Sequence, residues 1–197
     1  MTLQNVIPFA HALVQQHLHA GDYAVDGTMG NGHDTLMLAH CVGDAGRVFA
    51  FDIQSAALTA TADRLHQAGL RHRAELIQTG HEHMTRHVPL GIRAAIFNFG
   101  YLPGGDKNIT TRADTSLAAV GAALSLLADG GLLVAVLYPG HDAGKTEADL
   151  LNRYAKTLPF PAFNVLYYGF TNRAAYPPFL LAIEKNPTGA AQSISPI

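Results

Sequence analysis

The chain has 197 residues, of which 48% are hydrophobic and 14% charged, and its formal net charge is −2. These values exclude a disordered chain and argue against a protein that coats nucleic acid through charge alone. They predict a single domain over 1–185 with a loose tail over 186–197. A single cysteine excludes an internal disulfide. Together with the lack of a membrane-length apolar run and of a recognisable signal peptide, it predicts a cytoplasmic protein.

Helical and strand-like hydrophobic periods alternate along the chain. Helices are predicted over 4–19, 32–42, 55–68 and 144–158, with one more that presents Leu117, Val120, Leu124 and Leu127 on one face. Strands are predicted over 22–26, 47–52, 74–79, 93–99, 131–138, 163–170 and 178–184. The segment TNRAAYP between the last two strands is too short for a helical crossover, so these strands form an antiparallel hairpin. The pattern predicts an α/β, Rossmann-like class I methyltransferase fold: a seven-stranded, mostly parallel sheet with a C-terminal antiparallel hairpin and helices on both faces.

A glycine-rich turn, YAVDGTMGNGHDT over 23–35, joins the first strand to the next helix. Gly27, Gly30 and Gly32 allow a tight turn and a close approach of a ligand to the free N–H groups of the helix N-terminus. The spacing G-x-x-G-x-G differs from the dehydrogenase pattern G-x-G-x-x-G, which holds a pyrophosphate. Asp26 is unfavourable beside a diphosphate but suits a cationic amino-acid group. The turn therefore predicts S-adenosylmethionine, which carries an ammonium and a sulfonium and no phosphate.

A second acid, Asp52, ends the second strand, where it can accept hydrogen bonds from two ribose hydroxyls. An NAD-binding protein uses an acid at the same place, but no tyrosine here has the lysine four residues later that a reductase would want. The alternative is that both acids only cap turns. The predicted cofactor-binding residues are Asp26, Gly27, Thr28, Gly30, Asn31, Gly32, Asp34, Asp52, Gln54, His81 and Asn98.

The fourth strand ends in Asn98-Phe99-Gly100-Tyr101, which is similar to the (Asp/Asn)-Pro-Pro-(Tyr/Phe) tetrapeptide of methyltransferases that act on nitrogen. In that chemistry an asparagine oxygen and a backbone carbonyl accept N–H bonds from an amine, while the aromatic ring packs on the attached base. The prolines are absent here, so a planar base amino group is less assured as the target. The alternative is a plain loop rich in glycine and proline.

Five segments together resemble a family long labelled rRNA methylases and now assigned as tRNA 5-aminomethyl-2-thiouridine methyltransferases. They are VDGTMGNGHDT, NFGYLPGGDK, TSLAAV, YPGHDAGKTEAD and NRAAYPPFLLAIEK. The resemblance implies S-adenosylmethionine-dependent methylation of the exocyclic amine of wobble uridine 34, which gives 5-methylaminomethyl-2-thiouridine (EC 2.1.1.61). It also implies a tRNA partner, bound through the anticodon stem-loop. Methylation of rRNA or of a small-molecule or protein amine, and cofactor binding without turnover, stay open as alternatives.

The residues predicted to act on the substrate follow the ends of strands. Asn98 is expected to orient the amine, Tyr101 to stack on or flank the uracil, and His81 or His141 to take a proton. The predicted substrate-binding residues are Tyr101, Lys107, Arg112, Lys145, Arg173 and Tyr176.

Two further expectations concern ligands and partners. No metal is expected, because His83 and His87 have no third ligand in the sequence pattern. A second basic group, formed by Arg71, Arg73, Arg86 and Arg93, is the alternative footprint for RNA. A catalytic domain without an RNA-binding module is expected to act as a homodimer, in which each subunit extends the other's surface.

Overall fold

The computed structural model describes residues 3–100, 110–173 and 176–187. Its centre is a seven-stranded sheet in the order β3-β2-β1-β4-β5-β7-β6. The strands are β1 (Tyr23–Asp26), β2 (Arg47–Asp52), β3 (Ala74–Gln78), β4 (Ile92–Phe99), β5 (Leu127–Leu137), β6 (Phe163–Tyr168) and β7 (Phe179–Lys185). The α-helices in the described ranges are α1 (Val6–His17), α2 (His33–Val42), α3 (Ser55–Gln67), α4 (Ala113–Leu126) and α5 (Asp142–Thr157).

The pairing of the strands confirms the predicted sheet. Strands β1 to β5 pair in parallel, and β7 pairs antiparallel with both β5 and β6. The middle strands are mostly apolar because helices cover both of their faces. Helices α1, α2 and α3 pack on one face and α4 and α5 on the other, so the sheet separates two apolar cores. No helix in the described part of the chain is both long and apolar enough to cross a membrane.

The largest difference from the predicted elements lies at the start of β5. Leu127 was predicted on a helix face, but α4 ends one residue earlier and Leu127 pairs with Ile92 of β4. The register then shifts before Leu132 pairs with Ala94. Gly130, at φ 71°, lets the strand bend where the register shifts. The strand therefore begins at 127 rather than at 131.

Two short 3-10 helices, Arg71–Arg73 and His81–Arg86, precede and follow β3. They are too short to give a helical hydrophobic period, so the sequence did not predict them.

The β6–β7 hairpin holds α1 in place. The Tyr168 hydroxyl donates to the Gln4 carbonyl at 2.7 Å, and the rings of Phe9 and Tyr168 stack with centroids 4.1 Å apart. Beyond the hairpin strand, Arg173 donates from Nη2 to Asn5 Oδ1 at 2.9 Å. These contacts hold α1 next to the edge of the sheet where the parallel strands end, although α1 precedes all the strands in the sequence.

Candidate active site

A cavity of about 1050 Å³ opens at the carboxyl ends of β1, β2 and β4. Carboxyl ends of parallel strands share one edge of a sheet, so the topology gathers residues that are far apart in sequence. The predicted site residues that line the cavity are Gly27, Thr28, Gly30, Asn31, Asp34, Asp52, Gln54, His81, Asn98, Arg112, His141 and Tyr176.

Several other predicted residues are not part of that lining. Asp26 is buried beneath the glycine loop, and Gly32 packs against Thr61. Lys145 is exposed beside Tyr176, and Arg173 is exposed against Asn5. Tyr101 and Lys107 lie outside the described residues, so their predicted roles stay predictions.

The glycines of the loop serve two different purposes. A Cβ on Gly27 would stand 2.1 Å from Cε1 of Phe97, and one on Gly32 would stand 2.8 Å from Cα of Thr61. Gly32 also adopts φ 78°, in the left-handed region, where it begins α2. These two positions need glycine because the chain packs against itself. Gly27 and Gly30 both line the cavity, so Gly27 meets the Phe97 ring on one side and the open space on the other.

Asp52 connects the glycine loop to the end of β2. Its Oδ2 accepts from the Gly30 N–H at 3.1 Å, and its Oδ1 accepts from the Gln54 N–H at 2.9 Å. The carboxylate is only half-buried and lines the cavity, and each of its oxygens retains capacity for another hydrogen bond. This geometry leaves Asp52 able to accept from vicinal hydroxyl groups while it holds the loop.

Asp26 lies beneath the loop, not in the cavity. It is fully buried, and its oxygens accept from the Thr28 N–H at 3.1 Å and from the Thr35 hydroxyl at 2.6 Å. Burial, and secondarily the negative charge of Asp34, raises the pKa of Asp26 to about 7. The sequence analysis placed this carboxylate toward the cofactor; the structure places it against the helix that follows the loop.

Replacing Asp26 by asparagine should change how stability depends on pH. The raised pKa means that the native state holds a proton that the unfolded chain releases, so wild-type stability falls as pH rises from about 4 to about 7. An asparagine mimics the protonated acid, because its oxygen accepts from Thr28 and its NH₂ group donates to the Thr35 oxygen. Chemical denaturation at pH 5 and pH 8 measures the free energy of unfolding. The difference between the variant and the wild type should be more favourable to the variant at pH 8 than at pH 5. Asp63→Asn, on the exposed face of α3, is the control and should show no such gain; equal differences at both pH values would contradict the prediction.

A hydrogen-bond network of five residues forms another wall of the cavity. The Nε2 atom of His11 lies 2.7 Å from Asp34 Oδ1, and Nδ2 of Asn98 donates to Asp34 Oδ2. The Tyr138 hydroxyl donates to Asn98 Oδ1 at 3.3 Å, and the Asn98 backbone N–H donates to the Thr28 hydroxyl at 2.7 Å. The hydrogen bond to Asp34 raises the pKa of His11, while burial raises that of Tyr138. The network fixes the position of Asn98 at the carboxyl end of β4.

Sequence analysis missed two members of this network. Tyr138 directly follows β5, so the rule that functional residues follow parallel strands could have found it. His11 gave no such signal, because α1 precedes the first strand and a single histidine on an amphipathic helix is unremarkable.

The two histidines predicted as proton acceptors have partners in the chain. His81 is buried, and its Nδ1–H donates to the Gly27 carbonyl at 3.0 Å, which leaves Nε2 as the acceptor of the neutral ring. Burial lowers the pKa of His81, which favours this neutral form. His141 Nδ1 accepts from the Gly144 N–H at 3.1 Å and so caps α5. Both rings line the cavity.

Much of the second basic group is engaged within the fold. Arg73 pairs with Asp44 at 2.7 Å, Arg71 donates to the Ala74 carbonyl and Arg93 to the Asp129 carbonyl. In the group near the cavity, Arg112 likewise pairs with Asp114 and Arg173 donates to Asn5. Within the described ranges, no three His, Cys, Asp or Glu side chains are grouped so that they could hold a metal ion.

The residues at the cavity fit S-adenosylmethionine. The glycine loop lines the cavity, Asp52 presents a carboxylate to hydroxyls, and the volume accommodates a nucleoside joined to an amino acid. Most N–H groups of the loop are satisfied within the chain, contrary to the expectation that they face a ligand.

Solved structures of similar chains agree with this fit. The fold matches a crystal structure described as "putative rRNA-methylase" from Clostridium thermocellum, with a TM-score of 0.92, 39% identity, and coverage of 94% of this chain and 100% of that one. It also matches a methyltransferase from Streptococcus mutans in complex with SAH, with a TM-score of 0.85, 36% identity, and coverage of 93% and 99%. The fold and the cavity define a methyltransferase whose cofactor is S-adenosylmethionine.

Residues 48–184 match the model of the family described as "Putative rRNA methylase", and the chain belongs to this family. The chain is also 38% identical, over 178 residues, to the chloroplastic tRNA (mnm(5)s(2)U34)-methyltransferase of Arabidopsis thaliana. That alignment covers 85% of this chain and 65% of the relative, so the chain spans just under two thirds of the relative's length.

Proposed function

We propose that this protein methylates the exocyclic amine of 5-aminomethyl-2-thiouridine at position 34 of tRNA, giving 5-methylaminomethyl-2-thiouridine. The observation that carries the proposal is the position of Asn98, whose side-chain oxygen is held at the cavity beside the Tyr138 hydroxyl. An acceptor oxygen at this place suits a nucleophile that brings N–H groups. The name of the Arabidopsis relative, a tRNA (mnm(5)s(2)U34)-methyltransferase, supports the choice of acceptor.

The reaction requires a neutral amine. An alkylamine is protonated at neutral pH, so it first gives a proton to solvent or to an acceptor such as Nε2 of His81. S-adenosylmethionine supplies an electrophilic methyl group on a sulfonium. The amine lone pair forms the new nitrogen–carbon bond as the carbon–sulfur bond breaks, and that electron pair leaves with sulfur. The secondary ammonium product then loses a proton to solvent. Asn98 contributes by aligning the amine, since such a transfer depends on alignment more than on a strong base.

The rim of the cavity offers contacts for the anticodon loop. The ammonium of Lys145 lies 4.9 Å from the ring centroid of Tyr176, which is 60% exposed and lines the cavity. Tyr176 adopts φ 52°, a conformation uncommon outside glycine and one that clusters at functional sites. Arg112 and Arg173 are exposed nearby, although Arg112 pairs with Asp114. An exposed ring with adjacent cations suits base stacking and phosphate contact.

A second acceptor is rRNA, which the family description names. Methyl transfer with the purified protein distinguishes the two. Unmodified transcript, tRNA carrying 5-aminomethyl-2-thiouridine, and ribosomal subunits are each incubated with labelled S-adenosylmethionine and digested to nucleosides. We expect 5-methylaminomethyl-2-thiouridine from the modified tRNA only, detected by mass spectrometry. Label in ribosomal RNA with none in tRNA would overturn the proposal, and transfer only to small-molecule amines would do so as well.

A homodimer would extend this RNA surface, and strand β6, which pairs on only one side among the described residues, supports one. Strand β6 ends the sheet, and Val165, Leu166 and Tyr167 on it are 39%, 45% and 54% exposed. Unpaired strand edges with apolar side chains are sites of association between chains. Light scattering on the purified protein would measure the mass, and a monomer at micromolar concentration would contradict the dimer.

A further inference from the structure

The side chain of Asn98 has one orientation that satisfies all its neighbours. Its Nδ2 group donates to Oδ2 of Asp34, and its Oδ1 accepts from the Tyr138 hydroxyl. A carboxylate can only accept, so the amide nitrogen has to face Asp34. The flipped amide would place two oxygens against each other in a largely buried space. Asp34 therefore determines whether Asn98 presents its oxygen or its NH₂ group to the cavity.

Asp34 is itself fixed on its other side. The Nε2 atom of His11 lies 2.7 Å from Oδ1, while Oδ2 accepts from Asn98, so rotation of the carboxylate would break both contacts. The side chain of Asp34 is only 12% exposed, and that of His11 is 29% exposed. Asp34 lies in the first turn of α2, where the helix dipole favours a negative charge. A side chain of α1 and one of β4 thus converge on one carboxylate.

We propose that Asp34, held by His11, is a positioning residue that locks the Asn98 amide with Oδ1 toward the acceptor amine. This inference rests on the proposed amine substrate. It gives Asp34 a different role from the direct cofactor contact that the sequence predicted, because the side chain is only 12% exposed and lies between His11 and Asn98. The orientation also sets specificity: an acceptor oxygen retains a group with an N–H and disfavours one that can only accept.

A double-mutant cycle tests the coupling between the two side chains. The amide introduced by Asp34→Asn can present either an oxygen or an NH₂ group, so Asn98 is no longer locked. We expect kcat with modified tRNA to fall by about 10-fold, with KM for tRNA and affinity for S-adenosylhomocysteine within about twofold of wild type. In an Asn98→Ala background, Asp34→Asn should cost nothing further. Asp44→Asn is the matched control, since Asp44 also bonds a histidine, His72, but lies beyond the other end of α2.

The same variants can be examined by NMR without any RNA. The side-chain ¹⁵NH₂ signal of Asn98, assigned by its loss in Asn98→Ala, should exchange slowly in the wild type and faster in Asp34→Asn. The ring protons of His11 should titrate at a lower pH in Asp34→Asn, because Asp34 is the nearest acid and Asp26 the next. Tyr138 is the remaining titratable group of the network, and burial keeps its pKa above this range.

The outcomes separate this inference from the proposed function. A further 10-fold loss in the double variant, or weaker cofactor binding with kcat unchanged, would overturn the positioning role. Unchanged exchange of the Asn98 amide in Asp34→Asn would overturn it too, whatever the activity. A different result would be slow exchange of the Asn98 amide in the wild type and a lower titration of His11 in Asp34→Asn, without methylation of modified tRNA by the wild type. That result would refute the proposed function and leave the locked amide in place.

Discussion

Replacement of Asn98 by alanine is expected to slow single-turnover methyl transfer to tRNA carrying 5-aminomethyl-2-thiouridine by about 100-fold, or about 2.7 kcal/mol. The reason is that Asn98 presents an acceptor oxygen at the cavity, and its loss leaves the amine free to rotate away from the methyl group. Quenched-flow measurements with enzyme in excess over tRNA isolate this step from product release. Affinity for S-adenosylhomocysteine should stay nearly unchanged.

The control for this variant is Asn152→Ala, which removes an asparagine from α5 outside the cavity lining. It should transfer methyl groups at the wild-type rate. A wild-type rate in Asn98→Ala would remove the nitrogen-methyltransferase interpretation of the β4 terminus. An equal loss of rate and cofactor affinity would instead indicate that Asn98 belongs to the cofactor site.

Replacement of Asp52 by alanine is expected to weaken binding of S-adenosylhomocysteine by at least about 100-fold. Two effects combine: the carboxylate accepts from the Gly30 and Gln54 N–H groups, and it is available to two ribose hydroxyls. Charge-assisted hydrogen bonds contribute about 1.5–3 kcal/mol each, and each 1.4 kcal/mol is tenfold in affinity. Isothermal titration calorimetry measures the change directly.

Asp52→Asn separates the two effects, because an amide oxygen can still accept one backbone N–H while the negative charge is gone. It should fall between the wild type and Asp52→Ala. Asp63→Ala, on the exposed face of α3, should bind as the wild type does. An unchanged affinity in Asp52→Ala would contradict the ribose assignment and leave Asp52 as a loop anchor only.

Local sequence features were sufficient to predict most of the fold. The short TNRAAYP segment predicted the antiparallel end of the sheet because no helix fits in it, and β7 indeed pairs antiparallel with β5 and β6. Strand-end geometry predicted the place of Asp52 and Asn98 for a similar reason: residues at the carboxyl ends of parallel strands reach the same edge of the sheet. Both inferences depend only on chain length and strand direction.

Features that depend on packing between distant segments were not predictable in this way. The burial of Asp26 depends on Thr35 folding back across the loop, and the contribution of His11 depends on where α1 packs against the finished sheet. Gly27 was assigned to ligand approach, yet the Phe97 ring occupies the space of its missing side chain. Sequence spacing indicates which residues share an edge, but not which of them are covered by others.

The contacts between the β6–β7 hairpin and the start of α1 bear on the order in which the fold forms. Tyr168 and Gln4, which they join, are 164 positions apart, whereas the glycine loop and its anchor Asp52 are only 22 apart. Contacts across long chain segments cost more closure entropy and form later. The contacts of the hairpin can therefore form only after β6 has been synthesised, whereas His11 and Asp34, 23 positions apart, can meet as early as the glycine loop and Asp52. Attachment of the N-terminal segment to the last strands of the sheet is thus a late step of folding, which follows assembly of the glycine loop.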